Sequence, residues 1–116
     1  MEPIPNQPEK NRRTARRHSA RRTARIVCFA NAMGLGPNLA LSLLDVSESG
    51  ARVTVKVPLP LHQEIEVNLS GISNRRPVKV IAEVVWCVPT TEEGTYQAGI
   101  RFQRYLSYQD LQELGS

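Results

Sequence analysis

The sequence predicts an all-β protein: a six-stranded antiparallel β-barrel with a short C-terminal helix, preceded by a flexible basic N-terminal arm. Six short segments carry apolar residues at alternating positions or in apolar runs, and turn-forming residues separate them. The segments between them show no helical pattern. Hydrophobic residues make up 41% of the 116 residues, which suits one domain with a modest core.

The first 20 residues are predicted to be a disordered basic arm, and residues 21–116 to be the folded domain. Residues 1–11 contain three prolines and almost no apolar side chain. Residues 12–25 contain seven arginines and no large apolar side chain. Such a segment has no face to bury, even if it is transiently helical. We expect it to be mobile, with its last few residues tethered to the domain.

Positive charge is concentrated in this arm. The formal net charge is +4, but Lys10 and the arginines up to Arg25 supply 8 of the 15 basic residues, against two acids. From Ile26 onward there are 7 basic and 9 acidic residues, so the arm carries +6 and the remainder −2. The pentapeptide Arg-Arg-Thr-Ala-Arg occurs at 12–16 and again at 21–25. This asymmetry indicates an anionic partner for the arm.

The first three strands follow this arm. The six predicted strands are residues 26–30, 39–44, 51–57, 65–69, 78–88 and 96–102. The first is an apolar run that ends at a Gly-Leu-Gly-Pro-Asn turn, and the second is another mainly apolar run. The third has the clearest alternation, with Val53, Val55 and Val57 on one side and polar residues on the other.

The last three strands and the helix complete the barrel. The fourth strand alternates apolar and polar residues, as does the sixth. The fifth begins near Pro77, because proline cannot donate to a ladder. It is predicted to place five side chains on one face: Val78, Val80, Ala82, Val84 and Trp86. Ser107 is the predicted N-cap of a short helix that carries Leu111 and Leu114.

The sequence contains no motif typical of an enzyme, a zinc site or a membrane-spanning protein. There is no nucleophile elbow, no phosphate-cradling loop and no pair of carboxylates beside a base, so we predict no enzymatic activity and no cofactor. Cys28 and Cys87 are predicted to be buried free thiols, although a disulfide between them stays open. With His18 and His62 they lack the spacing of a zinc site, so no metal is predicted. No apolar run approaches a membrane span and no signal peptide is evident, so we expect a cytoplasmic protein without membrane insertion.

Two motifs close to one another carry the functional signal. An R-x-x-x-R pair lies directly before the first strand, and D-x-S-x-x-G, formed by Asp45, Ser47 and Gly50, follows the second. Together they resemble the PilZ domain, a bacterial family that binds the second messenger cyclic di-GMP. The resemblance covers roughly residues 21–105. A V-V-W strand ending at Trp86, followed by a G-x-x-F strand that begins its motif at Gly99, adds to it.

The resemblance implies a ligand-binding set of six residues: Arg21, Arg22, Arg25, Asp45, Ser47 and Gly50. Arginine can pair with guanine O6 and N7, bridge phosphate oxygens or stack on a base, whereas Asp can accept from guanine N1–H and N2–H. Arg21/Arg25 is the chosen R-x-x-x-R register and Arg17/Arg21 the alternative. Gly50 is expected to allow close backbone approach or to supply a positive φ. Arg17, Trp86 and Gly99 are possible additional contacts.

The sequence therefore predicts a non-enzymatic receptor for cyclic di-GMP, in which the ligand orders the arm and the ordered arm meets a downstream protein partner. One alternative is a nucleic-acid-binding module that uses the arginines. The 5% aromatic content, with no exposed aromatic pair for base stacking, argues against nucleic acid. Another alternative is an adaptor that has the fold without the ligand.

Overall fold

In a computed structural model of the chain, seven antiparallel strands form one curled half-barrel sheet, and a short helix follows the last strand. The structure describes residues 17–71 and 77–115. The elements are β1 His18–Ser19, β2 Arg25–Phe29, β3 Ala40–Val46, β4 Gly50–Val55, β5 Glu64–Ser70, β6 Val78–Pro89, β7 Tyr96–Phe102 and α1 Tyr108–Leu114. The order across the sheet is β1-β3-β4-β7-β6-β5-β2. Our predictions for the arm up to residue 16 and for residues 72–74 of the β5–β6 loop lie outside the described residues.

The all-β architecture is confirmed, and all six predicted strands are present with small shifts of their ends. The seventh strand, β1, was not predicted. His18 pairs with Val46 and Ser19 pairs with Asp45, so the end of the basic arm runs alongside β3. A two-residue strand is too short to show an apolar alternation, which is why the sequence pattern missed it.

Curling of the sheet brings β2 next to β3, although no ladder joins them. The contact is made where the chain passes between the two strands. The Leu39 amide donates to the Cys28 carbonyl at 2.8 Å, and the Cys28 amide donates to Oδ1 of Asn38 at 2.9 Å. The sheet is thus a half-barrel whose edge strands are β1 and β2, rather than a barrel closed by hydrogen bonds.

The concave side of the sheet holds the core, as the alternation predicted. Val53 and Val55 of β4 are fully buried, as are Ile65, Val67 and Leu69 of β5. Val57 was predicted on the same side but is 38% exposed, because β4 ends at Val55 and the alternation ends with it. Val57 is therefore a correction to the predicted core.

A β-bulge at Val85 overturns the predicted placement of Trp86. Val84 pairs with Ile100 and Trp86 with Gly99, so one extra residue of β6 is accommodated opposite two consecutive residues of β7. Val84 is fully buried and faces the core, whereas Trp86 faces outward and is half-buried. The prediction that side chains alternate strictly between the two faces from residue 78 to residue 86 was wrong beyond Val84.

The C-terminal helix forms as predicted. Oγ of Ser107 accepts from the Asp110 amide at 3.1 Å, which satisfies one of the free N–H groups of the first turn. Leu114 is 1% exposed and anchors α1 on the core, with Leu111 packed beside it. Among the residues that the structure describes, no helix is long and apolar enough to cross a membrane.

The two cysteines differ in their surroundings. Both are free thiols, so the predicted disulfide alternative is not adopted. Cys28 is buried in the core, and burial raises the pKa of its thiol to about 11. Cys87 is only partly buried, and its sulfur accepts from the Leu59 amide at 3.4 Å. Burial is therefore confirmed for Cys28 and incomplete for Cys87.

Candidate functional site

The turn between β3 and β4 is held by its own serine. The Ser47 amide donates to the Gly50 carbonyl at 2.8 Å, and Ser47 Oγ accepts from the Ser49 amide at 3.3 Å. Ser47 is only 4% exposed, and its hydroxyl also lies 3.3 Å from the Gly50 carbonyl as a donor. The hydroxyl is thus already hydrogen-bonded within the turn. A hydrogen bond from it to a ligand would have to replace one of these bonds.

A second β-bulge turns the motif carboxylate outward. Leu43 pairs with Val53 and Asp45 with Arg52, so Leu44 is the extra residue of β3. Without the bulge, Leu43 and Asp45 would share the core side, since residues two apart on a strand point the same way. With it, Leu43 stays in the core and Asp45 reaches the outer side of the sheet.

Asp45 joins the two halves of the sequence motif. Its Oδ1 lies 2.7 Å from Nη1 of Arg17 at the end of the arm, and its Oδ2 lies 2.8 Å from Nη2 of Arg52 on β4. The Asp45 side chain is 11% exposed, whereas those of Arg17 and Arg52 are 57% and 44% exposed. The carboxylate is thus enclosed by two guanidinium groups that remain open to solvent on their other edges.

Arg21, Arg22 and Arg25 line a cleft whose walls do not include Arg17 or Asp45. The cleft has a volume of about 350 Å³ and lies between the arm and the start of β3, against Leu41 and Leu43. Arg21, Arg22 and Arg25 supply its cationic wall. This volume is at the lower end of the range of about 300–1,000 Å³ that small-molecule sites occupy.

Two of these arginines are held by backbone carbonyls. Nε of Arg21 donates to the Gln112 carbonyl of α1 at 2.8 Å. Nη1 of Arg25 donates to the carbonyls of Arg22 and Ala24 at 3.0 and 3.1 Å. The predicted pair Arg21/Arg25 therefore lines the cleft, but it is Arg17, from the alternative register, that contacts Asp45.

Gly50 allows a close backbone approach, one of its two expected roles, and the backbone that approaches it is that of β7. A Cβ at this position would lie closer than 3.0 Å to the Ile100 carbonyl oxygen and 3.4 Å from Cα of Arg101. The glycine thus lets β4 approach β7 closely. The alternative expectation of a positive φ is wrong, since Gly34, Gly36 and Gly94 are the positive-φ glycines of the described residues.

Gly99 lies beneath the indole of Trp86. An added Cβ would overlap the indole, at less than 3.0 Å from Cδ1, so the ring occupies the space that a side chain would need. The ladder places Asp45, Arg52, Gly99 and Trp86 opposite one another on four neighbouring strands. We call these four residues the outer row. It begins at the Arg17 ion pair and ends at an aromatic ring.

Arg52 is the residue that the motif search missed. Its alternation with Val53 assigned it to the solvent side, which is correct, but nothing in the spacing showed that it would pair with Asp45. The only available signal was its position two residues after Gly50 on a strand that must turn back along β3. The arrangement offers two guanidinium groups around one carboxylate, an aromatic ring at the other end of the outer row, and three further arginines along the cleft. Guanidinium groups and an aromatic ring suit a planar, anionic ligand.

The chain matches the family model described as PilZ domain over residues 11–116. That match covers nearly the whole chain, including both motif halves and the two strands that contain Trp86 and Gly99. No curated protein matches it.

Proposed function

Since the chain belongs to the PilZ domain family, we propose that it is a non-enzymatic receptor that binds cyclic di-GMP between its arginine arm and the β3–β4 turn. The observation that carries this proposal is the ion pair between Arg17 and Asp45, at 2.7 Å. It brings together the two motif halves that the sequence separates by 28 positions. Arg21, Arg22 and Arg25 of the first half line the cationic cleft, and Asp45 of the second half follows two residues after Leu43, the last β3 residue of its lining.

The ligand would bind by exchange of partners. Three of these arginines already have partners within the chain, by partly exposed contacts: backbone carbonyls for Arg21 and Arg25, and a shared carboxylate for Arg17. A phosphate is a stronger acceptor for a guanidinium group than a neutral carbonyl, and a guanine edge offers two acceptors to the planar fork at once. Each good bidentate contact to guanine contributes about 1–3 kcal/mol, so two or three of them support micromolar affinity.

Asp45 would serve as the base-recognising group. Its carboxylate can accept from guanine N1–H and N2–H, provided that Arg17 or Arg52 releases one oxygen. A released Arg17 would then be free to contact a phosphate of the same ligand. Trp86, at the far end of the outer row, would offer an aromatic ring for stacking.

Ligand binding would be communicated to a partner protein by a change in the position of the arm. The arm contacts both β3, by the pairing of Ser19 with Asp45, and α1, by the bond from Arg21 to the Gln112 carbonyl. Binding would therefore reposition the arm and change the surface that it shares with α1. We propose that a downstream protein in the bacterial cytoplasm recognises this altered surface.

The test is isothermal titration of cyclic di-GMP into the wild-type chain at physiological salt, with GMP and a short duplex DNA as control ligands. Micromolar or tighter binding of the dinucleotide, with little heat from either control, is the expected result. Asp45→Asn keeps the shape of the side chain and removes its charge, and it should weaken binding by about tenfold or more, the effect of one lost charged contact. Heat with the duplex and none with the dinucleotide would support the nucleic-acid alternative instead.

Single substitutions can show which of the two R-x-x-x-R registers binds the ligand. Arg17→Ala and Arg25→Ala should both weaken binding if each contacts the ligand, whereas the exposed Arg104→Ala is the matched control on another part of the sheet. A loss with Arg17→Ala alone would establish the register in which the arm is paired with Asp45. Unchanged affinity in both Arg25→Ala and Asp45→Asn would rule out the proposed site.

A further inference from the structure

A second row of residues lies beside the outer row and begins at the same turn. Ser47 is bonded to Gly50 across the turn, Gly50 pairs with Arg101 of β7, and Arg101 pairs with Glu83 of β6. Neither Arg101 nor Glu83 is a defining position of the sequence motifs, since Arg101 stands at a variable position of G-x-x-F and Glu83 directly precedes V-V-W. The register nevertheless places Arg101 two strands from the motif serine, on the solvent side of the sheet.

The residue that pairs with Arg101 on β4 has no side chain. Neighbouring strands lie about 4.8 Å apart, so the Arg101 backbone is about 10 Å from β3. An extended arginine side chain spans more than one strand spacing. Gly50 is the residue between, and it has no side chain that would obstruct a guanidinium group leaning across β4.

In the structure Arg101 leans the other way. Its Nη2 lies 2.6 Å from Oε1 of Glu83, and Oε2 of Glu83 lies 2.7 Å from Nδ1 of His62. Because an ionised carboxylate only accepts, Nδ1 of His62 carries the donated proton. The hydrogen bonds from His62 and then Arg101 lower the pKa of Glu83, so that this carboxylate is ionised at neutral pH.

This ion pair is weak enough to be exchanged. The side chains of Arg101, Glu83 and His62 are 64%, 27% and 75% exposed, and exposed pairs contribute little because water and salt screen them. A phosphodiester offers a guanidinium group the same planar pair of anionic oxygens as a carboxylate. Exchanging Glu83 for a ligand phosphate therefore costs Arg101 little.

We infer that Arg101 is a further ligand-binding residue, which contacts a phosphate of the dinucleotide from the side opposite the arm, and that Glu83 competes with the ligand for it. This inference rests on the proposed function. It makes the site two-sided: arm arginines on one side of the β3–β4 turn and Arg101 on the other, with Gly50 as the gap between them. Glu83 and His62 then determine how available Arg101 is.

Titrations of cyclic di-GMP into the variants test this inference. Arg101→Ala should weaken binding by about tenfold, whereas Glu83→Gln should strengthen it by about two- to fivefold, since it removes the competing charge. Arg101→Lys should lie between wild type and Arg101→Ala, since lysine keeps the charge and loses the planar fork. Arg104→Ala is the matched control, because Arg104 donates to the Lys79 carbonyl and lies outside the row.

The double variant separates competition from a change in stability. In the Arg101→Ala background, Glu83→Gln should no longer strengthen binding, because the group that Glu83 restrains is absent. If the wild-type chain bound cyclic di-GMP, and Arg101→Ala bound it with the same affinity as Arg104→Ala, this inference would be overturned and the proposed function would stand. Absence of any binding by the wild-type chain would overturn both.

Discussion

Replacing Gly50 by alanine tests whether the motif glycine serves the ligand or the fold. The structure indicates the fold: the new Cβ would lie closer than 3.0 Å to the Ile100 carbonyl oxygen, where ordinary van der Waals contact begins at 3.4 Å. The obstacle is backbone within a β-ladder, which cannot rotate away as a side chain can. Strands β4 and β7 must therefore separate locally or lose a hydrogen bond.

Two opposing effects decide the size of the change. Alanine reduces the conformational freedom of the unfolded chain, which stabilises the folded state by about 0.4–1 kcal/mol. Overpacking typically costs about 1–3 kcal/mol, and a rigid neighbour places this site in the upper part of that range. The net loss is about 1–2 kcal/mol, or a fall in Tm of about 4–8 °C for a domain of this size.

Urea unfolding of the ligand-free variant measures this loss, and amide hydrogen exchange locates it. The Phe102 amide, which donates to the Ser49 carbonyl at 2.8 Å beside Gly50, should exchange faster. The His62 amide, which donates to the Val84 carbonyl at 2.8 Å on another part of the sheet, is the internal reference. If Gly50→Ala kept or raised the stability of the free protein and lost only ligand affinity, the packing argument would be refuted.

Further predictions test the packing at Gly99, Cys28 and Leu114. Gly99→Ala should displace the indole of Trp86, cost about 1–2 kcal/mol in urea unfolding and shift tryptophan emission to longer wavelength; an unshifted spectrum would contradict the overlap. Cys28 should resist alkylation at pH 8 while the partly exposed Cys87 reacts, and Cys28 should react only in denaturant; equal rates would contradict its burial. Because burial raises the pKa of Cys28 from 9.0 to about 11, its neutral form contributes stability fully below pH 9.0, and up to about 3 kcal/mol is lost as pH rises through 11. Leu114→Ala removes the one buried side chain of α1 and should cost about 2–4 kcal/mol in urea unfolding; a loss below 1 kcal/mol would show that the helix is not anchored there.

Alternation and turn chemistry predicted most of the fold, because each strand carries its own local signal. The valines of β4 are separated by polar residues, so burial of one side of the strand follows from the pleat alone. The helix cap at Ser107 is equally local, since the hydroxyl bonds the amide three residues on. Neither depends on what the rest of the chain does.

The site was only half predictable for a related reason. Asp45, Ser47 and Gly50 are recognisable by spacing, and the arginine arm by its charge. Which arginine meets Asp45 depends on how the arm runs along β3, and that is decided by the pairing of residues 18 and 19 with the end of β3. A repeated arginine pattern fits several registers equally well, so no local signal chooses between them.

The β-bulges at Leu44 and Val85 show where local pattern ends and tertiary structure begins. By alternation alone, Asp45 shares a side with Leu43, and Trp86 shares a side with Val84. One inserted residue in β3 and one in β6 turn both side chains outward, to opposite ends of the outer row. A bulge is defined by two strands together, because it is a mismatch in their pairing. The amino-acid order thus determined the strands, the core and the charged arm, whereas the meeting of arm, carboxylate and indole on one surface was decided only when the strands paired.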